Sequence, residues 1–283
     1  MALRINTNIA AINAHRQLLG TEAKLGLSME KLSSGFRINR AADDAAGLAI
    51  ANRLRTNIRS LTVASRNVTE GKALLQIAEG SANQIESILE RMKELATQAA
   101  SSNAGLDGDK LDAEFQSLKD EIDRIVDDTN YQGTPLLDGD FIGTFQVGSS
   151  TSAEFHGSSQ INIQINVGGA AGTGLDTAGL GISASAIDDA DGADAALAAI
   201  DDAIDHLAEV LGNIGAAMNR LDYTYSNLQV QIENFSASES VIRDVDMASE
   251  MVNFTKNQIL LQAGTAMLAQ ANMSTQVVLS LFG

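Results

Sequence analysis

Apolar residues recur at alternating steps of three and four over most of the chain. The longest run is Leu197, Ile200, Ile204, Leu207, Leu211, Ile214, Met218, Leu221, Tyr225, Leu228, Ile232 and Phe235. Such a stripe keeps one face of an α-helix apolar and reads as the seam of a coiled coil. Leu74, Ala78, Ser81, Ile85, Ile88, Met92, Leu95 and Ala99 form a second seam, and Leu54, Ile58, Leu61 and Val68 continue it upstream in a shifted phase. Leu111, Phe115, Leu118, Ile122 and Ile125 form a third. No proline interrupts residues 44–100, so the pattern predicts a single helix about 85 Å long. A helix of that length needs partners to be stable in water.

The run from Ser101 to Asp109 is turn chemistry and permits an αα-hairpin. The middle of the chain changes period. Phe141 to Val147 and Ile161 to Val167 alternate apolar and polar residues, which suggests short strands, and Tyr131 to Gly139 carries turn signals. The pattern therefore predicts helices at about 44–100, 107–129 and 193–236 with a β-region at about 130–185. The fold class is mainly α: a long antiparallel helical bundle or coiled coil with a small β-hairpin region in the middle of the chain.

The two ends form a third part. Leu18, Leu25, Met29, Leu32 and Phe36 keep the three-four spacing near the start. Near the other end, Val241, Val245, Ala248, Val252 and Ile259 make one stripe, and Met247, Met251, Phe254, Leu261 and Leu268 make another. Two stripes give an apolar arc wider than one partner helix covers. One reading is a further buried helix of a monomer. The other is a helix surrounded by other subunits, favoured because the polar residues from Asn257 to Gly283 are all uncharged. Burying charges there would cost several kcal/mol each.

Composition narrows the function. The 283 residues carry a net charge of −17, and there is no Cys and no Trp. The absence of Cys excludes a disulfide scaffold, thiolate metal ligation and a thiol nucleophile. An acidic chain is not expected to bind nucleic acid. Residues 1–124 are neutral overall, whereas residues 125–219 hold 14 acids and no Lys or Arg. That places the middle of the chain in water and leaves contact-making to the ends. No secretory signal is read at the N-terminus, and the polar amides of 257–283 argue against a membrane span.

Catalytic chemistry is not evident. His15, His156 and His206 lie far apart and form no ligand pair. Gly168 to Gly174 lacks the spacing and the lysine of a phosphate loop and reads as a hinge. Asp188, Asp189 and Asp191 resemble the start of a calcium loop, but Ile200 stands where the bidentate acid would be needed. Those acids suit a helix start. No metal, cofactor or enzymatic activity is expected.

The segment Leu32-Ser33-Ser34-Gly35-Phe36-Arg37-Ile38-Asn39-Arg40-Ala41-Ala42-Asp43-Asp44-Ala45-Ala46-Gly47-Leu48-Ala49-Ile50 resembles the N-terminal signature of bacterial flagellin. Ile5-Asn6-Thr7-Asn8, Glu94-Leu95-Ala96, Asn130 to Gly139, Phe145-Gln146-Val147-Gly148, Arg243 to Ala248 and the closing Val278 to Gly283 fit the same family. The resemblance is to a short form without large outer domains. It implies a structural subunit of the flagellar filament, secreted and extracellular, serving motility. The hook–filament junction protein, similar at both ends, is the alternative.

The resemblance further implies that residues 1–42 and 240–283 are inner-core helices, disordered in the free monomer, and that 43–239 form an outer rod. It implies type III export, an export chaperone on the C-terminal region, and flagellar cap and junction proteins as partners beside the self-polymer. Expected polymer contacts are Ile5, Ile9, Ile12, Leu18, Leu25, Leu32, Val252, Ile259, Leu268 and Leu279. Arg37, Arg40, Asp43 and Asp44 either link the two layers with intersubunit ion pairs or belong to an ordinary capped loop. Arg91, Leu95 and Glu114 match positions that a vertebrate Toll-like receptor reads in many flagellins.

Overall fold

Long uninterrupted seams become long helices. The structure, a computed structural model, describes residues 8–101, 108–148, 159–167 and 173–280. In chain order the elements are α1 (Ile9–Ser34), α2 (Ala45–Ala99), α3 (Gly108–Asp128), β1 (Asn130–Tyr131), β2 (Thr134–Pro135), β3 (Ile142–Gln146), β4 (Gln160–Gln164), α4 (Ala190–Arg243) and α5 (Met247–Ser280). The strands form two antiparallel pairs, β1 with β2 and β3 with β4. The class is mainly α with a small β-region in the middle, as the periodicity predicts. Two compact units result: Arg59–Glu233, and Met1–Ile58 with Asn234–Gly283.

In the unit Arg59–Glu233, α2 and α4 run antiparallel. The Gln229 side chain donates to Ser65 Oγ (3.1 Å), Lys72 pairs with Asp222, and Lys93 Nζ lies 2.5 Å from Asp201 Oδ1. From α2 the core takes Leu75, Ala78, Ala82, Ile85, Leu89, Met92, Ala96 and Ala99, an unbroken heptad line. The α4 seam is rotated by one residue from the expected one. Ile200, Leu207, Ile214 and Leu221 are buried, but their partners are Ala196, Ala203, Val210 and Ala217. Leu197, Ile204, Leu211 and Met218 are half-buried flanks, and Tyr225 is exposed. Small residues at the seam let two backbones approach closely, while the larger neighbours cover its edges.

Helix α3 packs back along α2: Thr129 Oγ1 donates to Ser81 Oγ at one end (2.9 Å), and Arg91 meets Glu114 at the other. Its inner face is Phe115, Lys119, Ile122 and Val126. Residues 173–187 are strapped onto α3 by polar bonds. Asp123 accepts from the Thr177 amide (2.8 Å) and hydroxyl (2.9 Å), and Asp112 accepts from the Ile187 amide (3.0 Å). Lys119 is buried and donates to the carbonyls of Ser183 (2.6 Å) and Ser185 (3.1 Å). Leu136, Leu137, Leu175, Leu180, Ile182 and Ile187 fill the space beneath. The β3–β4 hairpin sits on α2, where the Asn67 amide donates to the Gln146 carbonyl (3.1 Å). A Cβ at Gly71 would meet the Phe145 ring at 3.1 Å, so the absent side chain is what admits the ring.

Lys119→Met keeps the volume of the stem but leaves two carbonyls without their donor. It should cost about 1–3 kcal/mol of stability and speed amide exchange in residues 183–187 before it affects α2. Denaturant unfolding and hydrogen exchange measure both.

Candidate self-association site

The terminal unit is built on one antiparallel pair. Asn8 Nδ2 donates to the Ala271 carbonyl (2.9 Å), Leu18 lies against Gly264, and the Val245 amide donates to the Gly35 carbonyl (3.0 Å). As the α1 number rises, the α5 number falls. The covered face of α1 is Ala11, Ala14, Leu18, Thr21, Leu25, Ser28 and Leu32. That of α5 is Glu250, Phe254, Asn257, Leu261, Gly264, Leu268 and Ala271. Both lines step by three and four, so each helix uses one heptad seam on its partner.

That seam uses only part of the apolar surface. On α1, Ile9, Ile12, Leu19 and Leu27 stand exposed on the side away from α5, as helical geometry requires of positions offset from the seam. On α5, Val252 is 68% exposed and Ile259 60%, both opposite the seam. Met247 and Met251 occupy one shoulder, Leu260 and Met267 the other, and Met273 is exposed as well. Apolar residues thus ring the whole circumference of α5. A helix of that kind is a buried helix whose cover is missing.

The structure separates the expected contact residues. Ile9, Ile12, Val252 and Ile259 are exposed. Leu18, Leu25, Leu32 and Leu268 are half-buried in the pairing of α1 with α5 inside the chain. Ile5 lies outside the described residues, as does the side chain of Leu279. Leu19, Leu27, Leu260 and Met267 were absent from the expected set. For Leu19, Leu260 and Met267 the signal is a second heptad step, Ile12 to Leu19 in α1 and Leu260 to Met267 in α5; Leu27 lies on neither.

Between α1 and α2 the chain makes a tight polar loop. Gly35 ends α1 in the left-handed conformation (φ 75°), where its amide caps the Lys31 carbonyl. Arg40 forms a two-pronged pair with Glu30 (2.9 and 3.1 Å). Asp43 Oδ2 accepts from the amides of Asn39 (3.0 Å) and Arg40 (2.9 Å). Those two amide bonds, first Arg40 and then Asn39, hold the Asp43 carboxyl below its ordinary pKa. Asp44 caps α2 by accepting from the Gly47 amide (2.9 Å). The Arg37 guanidinium donates to the Ile242 carbonyl (2.7 Å), and its amide donates to the Arg243 carbonyl (2.6 Å). Arg243 lies over the Phe36 ring, 4.2 Å from its centre, with Glu239 at 3.8 Å. All four charged residues expected in this segment therefore have bonds within the chain.

Arg91, on α2, bonds Glu114 of α3 (2.9 and 3.2 Å) and Glu94 (2.8 Å). Glu114 above all, then Glu94, raises its pKa and keeps it charged. Leu95 is 1% exposed, as its place in the predicted seam with Ile88 and Met92 implies, and only Arg91 and Glu114 of the three reach solvent. Among the described residues no group of three His, Asp or Glu is placed to hold a metal, and no helix is long and apolar enough to cross a membrane.

Paired helices with uncovered apolar faces, attached to a helical unit with a well-filled core, define a structural subunit made to associate with copies of itself. Two family models match the chain: the bacterial flagellin N-terminal helical region over residues 5–141 and the C-terminal helical region over 197–282. Flagellin of Bacillus subtilis (strain 168) is 42% identical over 99% of this chain and 99% of its own. Flagellin of Halalkalibacterium halodurans is 45% identical over 98% of each. The flagellar filament 33 kDa core protein of Treponema phagedenis is 42% identical over 98% of this chain and 99% of its own. The chain belongs to the bacterial flagellins. It is a structural subunit of the flagellar filament, and the junction-protein alternative is not favoured.

Because the Asp43 pKa is depressed, its loop bonds are fully present above the ordinary value of 3.8 and are lost as pH falls through the lower folded value. Amide shifts of Asn39 and Arg40, followed by NMR, should titrate together below that pH. Asp43→Asn should abolish the titration.

Proposed function

We propose that the chain polymerises head-to-tail through the faces of α1 and α5 that their own pairing leaves open. The observation that carries this is the ring of apolar residues around α5, of which α1 covers one side. Contacts of this kind that do not close into a ring generate a helical filament. In this reading residues 1–42 and 240–283 form the inner layer and 43–239 the outer rod. The segment 35–47 joins the two parts of the chain with its charges already engaged within the chain.

Magnitudes support a cooperative assembly. Among the described residues twelve large apolar side chains are exposed on α1 and α5, each near half of its surface. Covering all of them is worth on the order of 10 kcal/mol. Association costs about 4–15 kcal/mol before any gain. A single neighbour covering a few of these residues is therefore held weakly. A subunit entering a site with several neighbours covers most of them at once. Ordering of the tails is coupled to that step, which keeps free subunits from polymerising early.

The remaining expectations belong to the same reading. The chain is a structural protein without catalysis, and it is extracellular once exported. Export runs through the flagellar type III apparatus, with a chaperone on the apolar C-terminal helix and a cap complex at the growing tip. The lack of Cys favours threading, since no disulfide can form. Host recognition by a Toll-like receptor would use the exposed Arg91 and Glu114, with Leu95 holding α2 in place from within.

Ile12→Asp with Ile259→Asp should leave helix content and the thermal midpoint of the 59–233 unit unchanged and abolish long filaments in seeded electron microscopy. Filaments of normal length from that variant would overturn the assignment. In a receptor reporter cell line, Arg91→Ala or Glu114→Ala should lower signalling by an order of magnitude. An unchanged dose response would remove the receptor reading and leave the filament reading intact.

A further inference from the structure

Seven methionines lie among the described residues, and they divide sharply by place. Met92 is fully buried in the core of the 59–233 unit, and Met218 is half-buried there. Met29 on α1 and Met247, Met251, Met267 and Met273 on α5 are all between 48 and 64% exposed. Thus five of the seven stand on the two helices whose open faces are read above as polymer contacts. The chain contains no Cys, so thioethers are its only sulfur atoms and the most readily oxidised groups it offers.

We propose that Met29, Met247, Met251, Met267 and Met273 are an oxidation site of the free subunit, and that their conversion to sulfoxide by a peroxide blocks assembly until it is reversed. The inference rests on the polymer-contact reading of α1 and α5. The step is a two-electron oxygen transfer. A sulfur lone pair attacks one peroxide oxygen, an S–O bond forms as the O–O bond breaks, and the departing hydroxide takes the proton of the transferred oxygen and leaves as water. Sulfur is oxidised and the peroxide reduced. The product carries a strong hydrogen-bond acceptor where an apolar group stood. On the free subunit that acceptor faces water at no cost. In a contact it is set against Val252, Ile259 and Leu260, which donate nothing, with Thr255 and Lys256 beside Met251 as the nearby donors, so most of the five sulfoxides lose the hydrogen bonds that water gave them. The penalty therefore falls on assembly and not on the fold. The positions of the sulfurs fit this division, since the two methionines that support the 59–233 core are the two that are shielded.

The test uses full-length monomer exposed to graded hydrogen peroxide, with sulfoxide located by peptide mass spectrometry and elongation followed from filament seeds. Untreated monomer is the reference, and its failure to elongate would refute the polymer reading itself. With that reference growing, oxidation should appear at the five exposed positions before Met92. The critical concentration should then rise about tenfold or more. Methionine sulfoxide reductases of both stereospecificities with a thiol reductant should restore it. Replacing all five by Leu should give a chain whose elongation ignores peroxide. Should that variant not elongate, the reductase arm decides alone. Monomer carrying sulfoxide at the five sites and elongating at the untreated concentration would overturn the proposal, as would oxidation of Met92 ahead of them.

Discussion

The pairing of α1 with α5 sets the conditions for everything else in the terminal unit. Each helix gives one seam to the other, and the seams are lined as much by Ala11, Ala14, Thr21, Ser28 and Gly264 as by leucines. Small residues bring the axes close but bury little apolar area, so the pair gains only modestly from its own contact. Two leucines that would have made a stronger internal seam, Leu19 and Leu27, are turned outward instead. The pair is thereby held at a level where covering its outer faces matters more than closing its inner one. A polymer subunit needs that order of strengths. A terminal pair that satisfied itself would have no reason to accept a neighbour.

The 59–233 unit solves the opposite problem. Its seam residues are consumed internally, from Leu75 through Ala99 on α2 and from Ala196 through Leu221 on α4. Its polar surface is acidic, and several of its basic residues are paired across helices, Lys72 with Asp222, Lys93 with Asp201 and Arg91 with Glu114. Lys119 is spent on tying the 183–185 carbonyls to α3. This unit has the filled core and satisfied polar groups of an independently stable body. One chain thus carries two standards of completeness, and the difference between them tracks the proposed division of labour.

Most of the architecture was legible because long helices announce themselves by period. The two β3–β4 strands were legible for the same reason, through the alternation around Phe145 and Ile163. What could not be read was which of two adjacent stripes faces inward. On α4 the apolar count favours Leu197, Ile204 and Leu211, yet Ala196, Ala203 and Val210 take the centre. Alanine weighs little on any hydropathy scale, and its value lies in the approach of backbones, which only a partner reveals. The same ambiguity put Leu18 and Leu25 among the expected outer contacts and omitted Leu19 and Leu27. Leu95 was legible as a seam residue and is buried accordingly, whereas the bonding of Arg91 to Glu114 of α3 has no period to announce it. The strap of residues 173–187 over α3 was invisible because its bonds join Asp112, Lys119 and Asp123 to backbone groups far along the chain, a pairing without a period.

The loop between α1 and α2 shows how a strongly patterned segment serves structure before it serves contact. Gly35 turns the chain, Asp43 closes the turn on two amides, and Asp44 starts the next helix. A Cβ at Gly47 would strike Ile38 and the Asp44 carboxylate, so the cap and the buried Ile38 both depend on that position staying bare. Arg37 reaches across to the carbonyl of Ile242, and the backbone bonds of Phe36, Arg37 and Val245 join the two strands of chain that enter and leave α1 and α5. Because each bond fixes both strands, neither terminal helix can change its direction alone. In the proposed filament, an open face on α1 and an open face on α5 would then meet a neighbour as one surface. That is the requirement for a contact in which many half-exposed side chains must be covered in a single step.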